Sequence, residues 1–130
     1  MVDLSVDVGR LRLANPVMPA SGTFAEGLQK VMHLDRLGAF VTKTVTRELR
    51  AGNPTPRVAE THEGMLNSIG IPSKGVPYFL ENVIPFYRQF KPPLIVSISA
   101  PSAEGFAQLA AEVSVPGVAA IEANISCPNI

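Results

Sequence analysis

The residues with the most chemical capacity lie in one short stretch, Asn124-Ile125-Ser126-Cys127-Pro128-Asn129, directly after the apolar run from Val118 to Ala123. Two carboxamides and a thiol are thereby placed on a tight loop that follows a predicted strand. In parallel α/β proteins the C-terminal strand edge is where ligands bind. Asn124 and Asn129 can each donate and accept hydrogen bonds to a planar polar ligand. Cys127 is the only cysteine of the sequence and can take a proton there. A thiol serves well as a base only where a nearby cation favours the thiolate.

The elements that must position this loop alternate between strand and helix. Leu4 to Val8 and Leu11 to Leu13 flank Gly9-Arg10, a two-residue turn, and predict a hairpin. Residues 17–20 read as a short buried strand, residues 28–37 as a weak helix stopped by Gly38, and residues 39–44 as a second strand. Residues 45–74 are rich in Gly, Pro, Asn and Arg and read as a long loop, with a short strand over 57–61. Phe79, Val83, Phe86, Tyr87 and Phe90 recur at helical spacing, and Pro85 predicts a kink near Glu81-Asn82. Leu94 to Ile98 is the third core strand. Ser102 caps a helix whose stripe is Phe106, Leu109, Ala110 and Val113, and residues 119–123 form the fourth strand.

Alternating β and α with buried strands implies a parallel sheet with right-handed crossovers. A doubly wound sheet and a (β/α) barrel both fit. No G-x-G-x-x-G follows a predicted strand, which disfavours a dinucleotide fold. Side chains two apart share a strand face. With Phe40, Ile98 and Ile121 toward the helices, Lys43, Ser97 and Asn124 all point to the other side, near the C-terminal strand ends. That arrangement favours a barrel with a polar mouth. Glu122 is on the same inward face.

Composition narrows the rest. The sequence has 130 residues, 46% of them hydrophobic, which suits one domain with a modest core rather than a disordered chain. Its 11 basic and 11 acidic residues cancel, which argues against nucleic-acid or membrane-surface binding driven by bulk charge. One cysteine rules out an internal disulfide and a clustered-Cys metal site. The start, Met1-Val2-Asp3-Leu4-Ser5-Val6-Asp7, alternates and carries acids, unlike a signal peptide. No apolar run approaches the ~20 residues needed to span a bilayer. A soluble protein of a reducing compartment, the cytoplasm, is expected.

Several segments together resemble the dihydroorotate dehydrogenase family. They are Asn15-Pro16 with Ala20-Ser21-Gly22-Thr23-Phe24, Thr42-Lys43-Thr44-Val45-Thr46, Gly52-Asn53-Pro54 with Pro56-Arg57, Gly64-Met65-Leu66-Asn67-Ser68-Ile69-Gly70, and Asn124 to Asn129. They run from residue 4 to 130 in the family's order and spacing. The Ser-Gly-Thr-Phe and Lys-Thr-Val-Thr wording is most similar to the NAD-linked, two-subunit class. The resemblance implies a (β/α)8 TIM-type barrel with bound FMN that oxidises dihydroorotate to orotate in pyrimidine synthesis.

By that resemblance, Cys127 is the base that removes the C5 proton of the substrate. Lys43 lies between flavin and substrate. Asn67, Asn124 and Asn129 grip the polar edge of the pyrimidine. Ser68, Ile69, Gly70 and Ile71 continue from Asn67 and offer backbone contacts to the substrate carboxylate. Ala20, Ser21, Gly22 and Thr44 line the flavin together with Lys43, Ser97 and Asn124, although members of this class often carry Asn where this chain has Ser97. No metal site is implied. Arg47, Arg50 and Arg57 are left between solvent, an interface and the substrate entrance.

The resemblance also implies partners: a homodimer of the full-length subunit, and a second subunit carrying FAD and a 2Fe–2S cluster that passes electrons to NAD. The fumarate-using class is the alternative acceptor type. Cys127 speaks against the quinone-linked class, which usually has Ser as base. Asn129 speaks against a dihydropyrimidine dehydrogenase-like flavin domain, which tends to have His after the Cys-Pro pair. A complete barrel of this type needs about 250 residues, and four core strands are predicted here. The expectation is that residues 1–130 are the N-terminal half of one barrel domain. Alone, they should bind flavin weakly at best, show no turnover and self-associate through open sheet edges.

Overall fold

A three-stranded parallel sheet and two antiparallel hairpins make up the strands in the computed structural model, which describes residues 2–22 and 26–129. Thr23 and Phe24 of the Ser-Gly-Thr-Phe motif lie outside the described residues. The first hairpin pairs β1 (Val6–Val8) with β2 (Leu11–Leu13) around the Gly9-Arg10 turn. The parallel sheet has the order β3 (Phe40–Val41), β6 (Leu94–Ile98), β7 (Val118–Ala123). The second hairpin, β4 (Val58–Thr61) with β5 (Gly64–Asn67), lies between β3 and β6 in sequence.

One face of the parallel sheet is covered by helices. Leu94, Val96 and Ile98 alternate along β6 and join Phe40, Leu109 and Val113 in the core cluster. Val96 and Leu109 are fully buried. The helix α3 (Ala103–Val113) begins where expected: the Ser102 hydroxyl accepts the Gly105 N–H at 3.1 Å. Glu104, fully exposed in its first turn, is held below the usual carboxylate range by hydrogen bonds from its own backbone N–H and from Ser102.

The kinked helix is also present. It runs as α1 (Gly75–Tyr78), a π-helical turn (Phe79–Val83) and α2 (Ile84–Tyr87). Pro85 has no N–H to offer the carbonyl four residues back, and its ring crowds that carbonyl. The turn just before it widens, and Ile84 N–H donates to Phe79, five residues back. The Tyr87 ring from this helix packs tilted against Phe40 at 4.9 Å, and Phe90 meets the same ring edge-on at 5.9 Å.

Two expectations are corrected. Residues 17–20 form no strand, so the described sheet has three parallel strands rather than four. The Val17 carbonyl accepts one backbone bond, from Gly38 N–H at 2.8 Å, but Val17 itself is 60% exposed. One bond without a continuing ladder does not hold a strand, and β3 beside it is only two residues long. Residues 28–37 form two 3-10 turns, Glu26–Lys30 and Leu34–Arg36, instead of a helix. An amphipathic helix is stabilised mainly by the surface that receives its apolar face. Val31 has no such surface and is 77% exposed.

Candidate active site

Backbone bonding at the end of β3 decides which side chains reach the inner face of the sheet. Phe40 N–H donates to Pro93, Thr42 N–H to Ile95, and then Val45 N–H to Ser97. The last step spans three residues on one strand and two on the other. One extra residue is therefore inserted, a bulge, between Thr42 and Val45. Simple alternation would put Lys43 in the inner row beside Ser97. The bulge instead puts Val45 in the helix-facing core and brings Thr44 level with Ser97.

The Thr44 and Ser97 hydroxyls lie 3.0 Å apart in a buried contact. Asn124 N–H2 donates to Thr44 Oγ1 at 3.1 Å, and the Asn124 backbone N–H donates to Ile98 at 2.9 Å. Hydroxyl, hydroxyl and carboxamide are thus joined across all three parallel strands at their C-terminal ends. Ser97 is fully buried behind Thr44, and its own N–H donates to Thr42 Oγ1 at 3.2 Å. Glu122, half-buried, is the register partner of Ser97 on β7.

Two cavities open at this edge. The smaller, about 430 Å³, is lined by Lys43, Thr44, Arg50, Tyr78 and Phe79 among others. The larger, about 800 Å³, is lined by Arg50, Ile71, Asn124 and Cys127 among others. Lys43 is exposed on the first, Cys127 half-buried on the second, so the two do not share a cavity; Leu49 and Arg50 line both. Arg47 ties this connecting loop to α3 through Glu112 at 2.8 Å and Gln108 at 3.1 Å.

The asparagines form a second group. Asn67, at the end of β5, accepts from the Asn129 amide at 3.1 Å. Asn53 donates to Ser68 Oγ at 2.9 Å and to the Asn129 carbonyl at 3.4 Å. Gly70 and Ile71 both have positive φ, +77° and +46°, and Arg50 Nε donates to the Gly70 carbonyl at 2.7 Å. The 67–71 segment is therefore drawn under the Cys127 loop. Ala20, Ser21 and Gly22 line neither cavity; Ala20 and Gly22 are exposed, and a Cβ on Gly22 would meet open space. Sequence reasoning missed Asn53, although the Gly52-Asn53-Pro54 motif contained it.

Hydroxyl, amide, thiol and cationic side chains thus collect at the C-terminal strand edge of a parallel α/β unit, the edge where such folds place their sites. The chain belongs to the dihydroorotate dehydrogenase family, whose family model matches residues 3–130. It is 48% identical over 132 residues to the "Dihydroorotate dehydrogenase B (NAD(+)), catalytic subunit" of Desulforamulus reducens, covering 99% of this chain and 43% of that protein. The proteins of the same description from Trichlorobacter lovleyi and Geobacter sulfurreducens are each 45% identical, again over 98% of this chain and 43% of theirs. The chain thus spans less than half the length of these relatives. Among the described residues no helix is long and apolar enough to cross a membrane.

Proposed function

We propose that residues 1–130 form the first half of a (β/α)8 barrel that oxidises dihydroorotate to orotate with FMN, in pyrimidine synthesis in the cytoplasm. The observation that carries this reading is the Ser97–Thr44–Asn124 chain at the strand ends, reached by a bulge that also takes Lys43 out of the inner row. The smaller cavity offers the cations Lys43, Arg50 and Lys74 and hydroxyls that include Thr44, against Val45, Leu49 and Phe79. That donor set suits the flavin ring, a planar heterocycle with carbonyls on one edge and an apolar face. When bound, FMN supplies the acceptor for the hydride from substrate C6.

The residues of the chain do the rest. Cys127 takes the C5 proton, with Arg50 lining the same cavity as a source of positive potential. Lys43 offsets negative charge that builds up at the ring and substrate. Asn67, Asn124 and Asn129 hold the pyrimidine edge. Ser68, Ile69, Gly70 and Ile71 present backbone groups to the substrate carboxylate. Ala20, Ser21 and Gly22 lie outside both cavities, so the flavin contacts proposed within this chain are those of Lys43 and Thr44, with Ser97 supporting Thr44 from behind.

The relatives' description as an NAD(+)-type catalytic subunit supports the two-subunit arrangement. In it, a dimer of full-length subunits passes electrons to a partner that carries FAD and a 2Fe–2S cluster. The test titrates the chain into FMN and follows flavin fluorescence. Weak but saturable quenching, reduced in Lys43→Ala, is expected. Bleaching of the bound flavin by dihydroorotate, lost in Cys127→Ala, then assigns the base. No quenching up to the solubility limit would overturn the placement of flavin contacts on these residues.

A further inference from the structure

We propose that Asn53 is a positioning residue, which clips the Cys127 loop to the 67–71 segment and so fixes the thiol relative to the amides around it. The inference rests on the proposed role of Cys127, and its test does not. A primary amide carries two N–H groups on one nitrogen, and Asn53 directs that nitrogen to two elements: Ser68 Oγ at 2.9 Å and the Asn129 carbonyl at 3.4 Å. The Asn53 backbone N–H donates to the Ile69 carbonyl at 3.1 Å. The Asn53 carbonyl in turn accepts from Arg57 Nε at 2.5 Å, while Arg57 Nη2 donates to Ala51 at 2.9 Å. Its backbone N–H, its carbonyl and its side-chain nitrogen are thus all engaged, and the turn behind it is braced.

The approach of the two segments is built into the backbone. Gly52 (φ +83°) would place a Cβ 2.6 Å from the Ile69 carbonyl oxygen, and Gly70 (φ +77°) would place one 2.7 Å from the Asn53 nitrogen. Only glycine allows both the conformation and the contact. A second tie, Asn129 Nδ2 to Asn67 Oδ1 at 3.1 Å, joins the same two elements. The two ties join Asn129 to residues 76 and 62 positions earlier in the chain. Cys127 sits two residues before Asn129, so its backbone position follows from where Asn129 is held. Loss of either tie frees the loop to swing from the 67–71 segment.

Cys127 is the only thiol of the chain, so its alkylation rate in native buffer reports the loop without interference. Asn53→Ala is expected to raise that rate about fivefold, the population change that follows from losing one ordinary hydrogen bond. Asn67→Ala, which cuts the second tie and leaves the Asn53 turn intact, is expected to do the same. Val113→Ala lowers stability at the opposite end of α3 from the Cys127 cavity, and it should leave the rate unchanged. An unchanged rate in Asn53→Ala, or an equal rise in Val113→Ala, would overturn the proposal. Should Asn53→Ala fail to fold by circular dichroism, the isosteric Asn53→Asp, which loses both side-chain donors, decides in its place. A failure of flavin binding leaves these rates untouched, so the two readings fail separately.

Discussion

Replacing Thr44 by Val tests whether the hydroxyl pair at the strand ends is a coupled unit. Valine has almost the shape of threonine, so packing is nearly kept and the hydroxyl alone is lost. Two groups then lose a partner. Asn124 is half-buried, and water replaces its bond at little cost. Ser97 is fully buried, and its hydroxyl pairs with Thr44, so its desolvation is no longer compensated. An unsatisfied buried hydroxyl costs about 1–3 kcal/mol, and the whole substitution should cost about 2 kcal/mol. Ser97→Ala should cost less, about 1 kcal/mol, because the Thr44 hydroxyl keeps its bond from Asn124. The double variant should then cost about 2 kcal/mol rather than about 3, a coupling of about 1 kcal/mol, because removing Ser97 also removes the orphan. Urea unfolding of the four proteins, with unchanged m-values, reads these differences directly. Additive single losses, or a Thr44→Val cost no larger than that of Ser97→Ala, would refute the coupled pair.

Two further outcomes are expected. The buried Tyr87 ring packs on Phe40; burial first, and the Glu26 carboxylate second, push its pKa up from 10.0. A tyrosine whose folded pKa is raised contributes stability that is complete below the unfolded value and is lost as pH rises through it, because only the unfolded chain ionises. Stability by chemical denaturation should therefore fall above about pH 10, and Tyr87→Phe should flatten that fall; an identical slope in the variant would exclude Tyr87 as its source. Leu109→Ala empties a fully buried site between α3 and β6 and should cost about 2–5 kcal/mol in the same assay, whereas a loss under about 1 kcal/mol would mean that this face is loosely packed.

Fold and site differ in how far local chemistry reaches. The hairpin turn at Gly9-Arg10, strand β6, the Ser102 cap, the stripe of α3 and the disruption before Pro85 were all readable in order. Each is set by neighbours a few residues away: a turn dipeptide, an apolar run, a hydroxyl before a helix, a missing N–H. Residues 17–20 and 28–37 were misread because their apolar patterns need a partner surface, and pattern alone does not say whether one is present. Val17 and Val31 lie exposed for that reason.

At the site, the motifs in Asn124 to Asn129, Lys43 and Asn67 carried the family resemblance, and the family is the one that matches. Their spatial grouping was not legible. One inserted residue in the β3 ladder exchanged Lys43 for Thr44 in the inner row, and a period of two carries no memory of a bulge. Asn53 looked like a turn former between Gly and Pro. Only the fold brought the amide of Asn53 to a carbonyl 76 residues away. Side-chain type and local propensity belong to the sequence; register and long-range hydrogen bonding depend on backbone paths that no short window contains.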